Sequence, residues 1–492
     1  MSENEVIEDI NKEYSRRLQK VNQLKDAGQE PYAVTFNRSM TNKVFIQNFF
    51  ELDDFSSVQV VSLAGRLVSK RGHGKAFFGH IQDMAAKVQI YANVSMLGEQ
   101  QYAFLQNLDI GDWIGVKGLA FKTKRGELSL KIDSVELLTK SLLPLPEKYH
   151  GLRDKELRYR YRYLDLIANE DVKQVFLKRS QIVSCIRQFL QSQDFMEVET
   201  PVLQSVYGGA AARPFSTHHN ELNQGLYLRI ALELYLKRLM VGGFEKVFEI
   251  GRVFRNEGIS YKHNPEYTLL ELYQAFANYE DMMFLTESMF RKVVKDCLGK
   301  LQFSYQGQEI DFSKPFERIT MKDVIFKYTN INCQNIDELR AFAISKDIEN
   351  ASRCSKGQLI AEVYDQFVES KLIQPTFVFD YPWETSPLAR KKPNDPEFVE
   401  RFECIVCGME LANAFSELTD PTDQFERFQD QLKAKEQGWE DAHEMDEDFV
   451  NALKYGMPPT GGLGIGIDRL VMLLCNTPSI RDVLFFPHMR SK

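Results

Sequence analysis

Residues 246–275 read KVFEIGRVFRNEGISYKHNPEYTLLELYQA, and this stretch decides the fold of the larger part of the chain. Phe248, Ile250 and Phe254 share one parity and form an apolar face, with Arg252 as the exception; Glu249, Gly251, Arg255 and Glu257 share the other. Alternation with a period of two marks a strand with one buried and one polar face. The turn-rich GISYKHNP follows, and YTLLELYQA then sets Tyr267, Glu271 and Tyr273 on a common face. Two strands joined by a short loop predict an antiparallel hairpin. In the right register one polar face carries Arg255, Glu257, Glu271 and Tyr273. A solvated sheet face shows the same alternation, so periodicity alone leaves its role open.

Around this hairpin, residues 155–492 alternate helices and strands without regular βαβ spacing, which predicts an α+β domain built on an antiparallel sheet flanked by helices. Upstream, from 58 to 143, the pattern changes to short alternating segments such as VQVVSLAGRLVSK, AFFGHIQD, AKVQIYAN, DWIGVKGLAFKTK and ELSLKIDSVELLTK. Five strands with one helical segment, MLGEQQYAFLQNL, predict a small barrel of the oligonucleotide-binding type. This region holds eleven Lys and Arg against seven Asp and Glu, inside a chain whose net charge is −8. The asymmetry points to a polyanion binding there. LLPLPEKYHGLRD carries two prolines and predicts a linker over 144–154. Residues 1–57 begin with a charged helix whose Ile7, Ile10, Tyr14, Leu18, Val21 and Leu24 make one apolar stripe, ended by Pro31.

With 492 residues, 43% hydrophobic and 26% charged, the chain is an ordinary multidomain globular protein rather than a disordered one. Seven irregularly spaced cysteines fit a reduced compartment. The charged MSENEVIEDINKEYSRRLQK lacks the apolar core of a signal peptide, and no run is long enough to cross a bilayer, so the expected location is the cytoplasm, with no membrane partner.

As spelled, FRNEGISYKHNPEYTLLELY is similar to the second signature of the class II aminoacyl-tRNA synthetases in its lysine-specific form. RSQIVSCIRQFLQSQDFMEVETPVLQ (179–204) resembles the first signature, and GGLGIGIDRLVMLL (461–474) the third. GGAAARPFSTHHN, LRIALELYLKRL, SPLAR, RFECIVCGMELANAFSELTDP and, in the barrel, SKRGHGKAFFGHIQD extend the match. Over nearly its whole length the chain resembles the bacterial class II lysyl-tRNA synthetases, with an N-terminal anticodon-binding barrel.

That resemblance implies a two-step reaction. The lysine carboxylate attacks the α-phosphate of ATP, and the terminal ribose hydroxyl of tRNA(Lys) then takes the lysyl group. Chemistry of this kind needs positioning and charge neutralisation more than a protein nucleophile. By family position, Arg255 and Arg469 are the catalytic arginines. Glu257, His263, Asn264 and Tyr267 join them on ATP, and Glu403 and Glu410 hold magnesium against it. Gly209 and Glu233 take the α-amine of L-lysine; Asn413 with Arg255 takes its carboxylate. Glu271, Tyr273 and Glu417 surround the ε-ammonium, and Phe415 packs its stem. Arg71, Phe78, Gln89 and Glu127 read the anticodon, although pattern alone would as readily place Phe78 in the barrel core. A homodimer is implied as well.

Other readings fall away. Cys404-Ile-Val-Cys407 lacks a second pair for zinc. Gly72-His-Gly-Lys75 lacks the phosphate-loop spacing, and Gly462, Gly464 and Gly466 do not form GxGxxG. His218-His219 is a lone pair in a loop. Aspartyl and asparaginyl enzymes need a cation where Glu271 and Glu417 stand. A protein-modifying lysyltransferase lacks the barrel, and a catalytically dead RNA-binding relative would have lost Arg255, Arg469, Glu403 or Glu410.

Overall fold

The computed structural model describes residues 3–52, 59–73, 76–145, 152, 154–436 and 444–490. The boundary expected at 57/58 and most of the expected linker lie outside these residues. The chain divides into two compact units, Met1–Arg153 and Asp154–Lys492.

In the first unit, Val60–His73, Ala76–Gln82, Lys87–Asn93, Leu128–Thr139 and Trp113–Lys122 close into a five-stranded barrel in that spatial order. Alternation fills the interior: Phe77 and Ile81 are buried, whereas Phe78 between them faces outward. The helix Glu3–Asp26 docks differently from its apolar stripe. Val21 is buried and Leu24 packs on the barrel core, but Ile10, Tyr14 and Leu18 stay exposed. Charge does most of the docking. Buried Arg17 donates to the carbonyls of Ile110 and Ser141 at 3.1 and 3.2 Å. Lys20 pairs with Asp109 at 2.9 Å, and buried Lys140 holds Asp109 at 2.6 Å and Asp112 at 2.7 Å. Burial alone would raise Asp109, yet hydrogen bonds from Lys140, Arg16 and Lys20 hold its carboxyl well below the usual range.

The second unit is built on a nine-stranded sheet. Its path runs Glu317–Thr320, Thr376–Pro382, Asp395–Val406, Met409–Ser416, Thr460–Gly466, Glu266–Ala275, Lys246–Phe254, Met196–Glu197, with Lys391–Lys392 beside the third of these. The centre is antiparallel, as expected, and the two edge pairings are parallel. On one face the helices Glu170–Ser192, Tyr279–Leu298 and Ile467–Cys475 cover a large core containing Phe248, Leu270, Leu272, Leu463 and Ile465. The opposite face carries the site.

The predicted hairpin is present, with Glu249 opposite Glu271 and Val247 opposite Tyr273. Its expected all-polar face is corrected in two respects. Arg255 and Glu257 lie beyond the strand end at Phe254, and Val247 and Val253 line that face as part of a second core. Glu249 is buried against Arg229 at 2.6 Å instead of being solvated.

Asp468, 2% exposed, ties the three signature segments together. One of its oxygens accepts from Arg179 at 2.5 Å and the other from the Thr268 amide at 2.7 Å, while Arg179 also donates to the Thr268 hydroxyl at 3.1 Å. Removing one member of a buried pair strands the other. Asp468→Ala is therefore expected to cost about 3–5 kcal/mol in urea unfolding; an unchanged midpoint would show that the bridge contributes nothing.

Candidate active site

The glycine strand Thr460–Gly466 makes the site possible. A Cβ on Gly462 would lie 2.0 Å from Glu417 Oε1 and 2.6 Å from the Tyr273 ring. Only a bare backbone there leaves room for both side chains. Behind it sits a pocket with three buried acids, Glu233, Glu271 and Glu417. Glu271 Oε1 accepts from the Leu232 amide at 3.0 Å, and Tyr273 donates its hydroxyl proton to Oε2 at 3.3 Å. Gly209 adopts φ +85°, and a Cβ there would meet Ala231 and Glu233 at 3.0 Å, so its backbone lies against Glu233.

Sequence reading missed Lys237. It is fully buried, donates to Glu233 Oε1 at 2.5 Å and pairs with Glu417. Its ammonium lies 5.3 Å from the Phe415 ring centroid. The available signal was a Glu–Lys pair four residues apart inside the apolar LELYLKRLM. Lys237 pairs with Glu233 and Glu417, and among the described residues Glu271 forms no ion pair. Burial, reinforced by neighbouring Glu233, pushes Glu271 up to about 8. Burial likewise raises Glu233 and lifts Glu417 well above the ordinary carboxylate value, with Lys237 opposing both shifts.

Beside this pocket lies a cationic wall. The Arg255 guanidinium stands 5.4 Å from the Tyr267 ring centroid, and its Nε donates to the Ile230 carbonyl at 3.3 Å. Arg469 donates to the carbonyl and carboxylate of Glu410 at 2.9 and 3.1 Å and reaches His263 Nε2 at 3.3 Å. Burial and then Arg469 push His263 down, which favours its neutral form. Asn264 donates to the Glu266 carbonyl at 2.7 Å, leaving its own buried oxygen unpartnered and able to accept from a ligand. Burial raises the Tyr267 phenol to about 12, and its field includes Arg255, Arg469, Glu410 and Glu257. Glu257 itself is exposed on the loop.

Glu403 and Glu410 share a face because of a bulge. Glu403 pairs with Asn413 and Cys404 with Ala412, but Ile405 pairs with Glu410, leaving Leu411 extra. Leu411 and Ala412 both enter the helix-covered core, which turns Glu410 to the side of Glu403, Asn413 and Phe415. Arg401 binds Glu403 at 2.7 Å and Asn413 Oδ1 at 3.1 Å. Burial and the charge of Glu410 still push Glu403 up to about 8. Two converging carboxylates in this state fit a hard divalent cation such as magnesium.

Cys404 is buried with its thiol raised by burial, and Cys407 occupies a tight turn at φ 52°.

On the outer face of the barrel, Phe78 packs on Tyr91 at 4.9 Å and is 37% exposed, so it belongs to a surface and not to the core. Gln89 donates to Glu127 at 2.8 Å and accepts from Ser129 at 2.8 Å. His80, overlooked in the sequence, links Ser69 at 2.8 Å to Glu127 at 3.2 Å. Arg71 is exposed and stands across the ladder from Phe78.

Residues 154–490 match the family model of class II tRNA synthetases (D, K and N), and residues 61–138 match that of the OB-fold nucleic acid binding domain. Curated relatives named lysine–tRNA ligase include one from Carboxydothermus hydrogenoformans, 53% identical over 99% of each chain. Another, from Bacillus subtilis, is 50% identical over 99% of this chain and 98% of its own. A third, from Moorella thermoacetica, is 52% identical over 97% of each. Arginines beside a buried acidic pocket, an exposed aromatic face on a closed barrel and full-length similarity converge, and the chain belongs to the class II tRNA synthetases, within the lysine–tRNA ligase family.

Proposed function

We propose that this chain is a ligase that activates L-lysine with ATP, releasing pyrophosphate, and then transfers the lysyl group to the 3′-terminal ribose of tRNA(Lys). One observation carries the reading: Glu271, buried, forms no ion pair among the described residues, and Arg255 acts on it only from the rim. A buried carboxylate of this kind calls for a positive tail. Glu271, Tyr273 and Glu417 receive the ε-ammonium, and Phe415 packs the stem. Glu233 and the Gly209 backbone receive the α-amine. Asn413 and Arg255 receive the carboxylate.

Arg255 then holds the attacking carboxylate against the α-phosphate and stabilises the charge that builds there. Tyr267 stacks on the adenine, with Asn264, His263 and Glu257 around the nucleotide. Arg469 neutralises the phosphates as pyrophosphate leaves. Glu403 and Glu410 would hold magnesium, which when bound supplies further charge neutralisation on the phosphates. The barrel face of Arg71, Phe78, Gln89 and Glu127 reads the anticodon. A homodimer, built through the segment that includes Pro201, and a cytoplasmic location complete the proposal; no helix among the described residues is long and apolar enough to cross a membrane.

ATP–pyrophosphate exchange with each of the twenty amino acids should show activity with lysine. Glu271→Gln should lower lysine-dependent exchange about 10³-fold, equivalent to about 4 kcal/mol, while ATP binding by equilibrium dialysis is unchanged. Near-parental exchange would refute the pocket.

The raised Glu271 also predicts a pH dependence. Below about 8 its carboxyl is mostly protonated, and the incoming ammonium requires the carboxylate, so binding releases a proton. Lysine affinity should therefore rise by up to roughly tenfold per pH unit between about 6 and 8 and then level off. Calorimetry at pH 7 in buffers of different ionisation enthalpy measures this directly; absence of proton release counts against it. Phe78→Ala should raise the KM for tRNA by roughly 5- to 150-fold, the loss of about 1–3 kcal/mol of stacking, and leave pyrophosphate exchange untouched.

A further inference from the structure

The acidic pocket holds a cation to which none of the roles above assigns a task. Lys237 lies on the helix Glu233–Val241, its side chain wholly enclosed. It bonds Glu233 at 2.5 Å, pairs with Glu417, and has the rings of Phe415 and Phe449 at 5.3 and 5.9 Å. Aromatic faces and two carboxylates around one ammonium are also what a bound lysine side chain would need. The charged groups acting on it are Glu233 on its own helix and Glu417 beyond the end of the strand Met409–Ser416, and these two acids in turn act on Tyr273 of the strand Glu266–Ala275, while Glu233 acts on Glu271 there. Arg401 acts on Glu233 and Arg255 on Glu271 from the pocket's rim.

We propose that Lys237 is a positioning residue that sets the charge balance of the pocket, matching it to a substrate that carries two ammonium groups. The proposal rests on the assignment of this pocket to lysine. Three carboxylates and one resident ammonium leave two negative charges, and the α- and ε-ammonium groups of lysine bring two positive ones. The substrate carboxylate is met separately by Arg255. Without Lys237 one carboxylate would face no cation and would keep its proton to higher pH. Lys237 also holds Glu233 and Glu417 from a single point, which fixes both acceptors before the substrate arrives.

The test is the pH profile of kcat/KM for lysine in ATP–pyrophosphate exchange, with the full-length chain between pH 6 and 9.5. Lys237→Met keeps much of the length and removes the charge. Its profile is expected to level off at least one pH unit above the parent's, with the KM for lysine at pH 7 raised about tenfold or more and the KM for ATP within about twofold. The double variant Lys237→Met/Glu417→Gln removes one charge of each sign together with an acceptor of the ε-ammonium, so its KM for lysine should rise while its profile levels off at least half a unit below that of Lys237→Met. A purely structural ion pair gives a profile for Lys237→Met that superimposes on the parent's, and that result overturns the proposal. If Lys237→Met does not fold, the double variant is set against Glu417→Gln alone: a profile displaced upward by at least half a unit supports the charge balance, and superimposed profiles overturn it. A mistaken pocket assignment shows separately, because Glu271→Gln would then exchange lysine at the parental rate.

Discussion

The cost of burying carboxylates governs this molecule. Glu233, Glu271 and Glu417 lie where water does not reach, and each prefers its proton there unless a positive charge stands within a few ångströms. Lys237 supplies one such charge from within the fold. Under the proposed function the remaining imbalance would give the pocket its selectivity, since a neutral ligand leaves it uncorrected. Glu403 repeats the theme, held by Arg401 yet pushed up by burial and by Glu410. The site therefore stores unfavourable charge in two places, and in the proposed reading one would take an organic cation and the other a metallic one.

Placing that charge requires backbone devices that side-chain patterns do not reveal. The bulge at Leu411 moves Glu410 across the sheet, which strict alternation would have set on the helix-covered side. Gly462 is needed for the space its missing side chain leaves to Glu417 and Tyr273, not for a special dihedral. In the same way Asp468 joins Arg179 to Thr268, so the helix of the first signature, the hairpin of the second and the helix of the third cannot shift independently.

What could be read from sequence follows from how each feature is encoded. The hairpin and the barrel were legible because burial on one face imposes a period of two over many residues, as in Phe77, Phe78 and Ile81. Glu271 and Tyr273 were legible because they are spelled within a long signature. Lys237 was not, since a lone lysine in a helix ordinarily lies in water, and only its partners, distant in sequence, make it internal. The pairing of Glu249 with Arg229 depends likewise on tertiary contact. The apolar stripe of the N-terminal helix is used only in part: Val21 and Leu24 pack inward, while Arg17, Lys20 and Asp109 form polar contacts that the spacing does not reveal, and Ile10, Tyr14 and Leu18 stay exposed.

The two units recognise their ligands in opposite energetic regimes. In the acidic pocket the carboxylates are buried, so under the proposed function a single mismatched charge would cost several kcal/mol and one contact would suffice to reject a wrong substrate. On the barrel, Phe78 and the Gln89–Glu127–His80 network remain in contact with solvent. Water competes for each contact there, and an individual residue contributes only about 1–3 kcal/mol. Discrimination on that face must come from several modest contacts acting together, which tolerates exchange of any one of them. Under the proposed function a small amino acid with two ammonium groups suits the first regime, and a flexible polyanion with several bases to present suits the second.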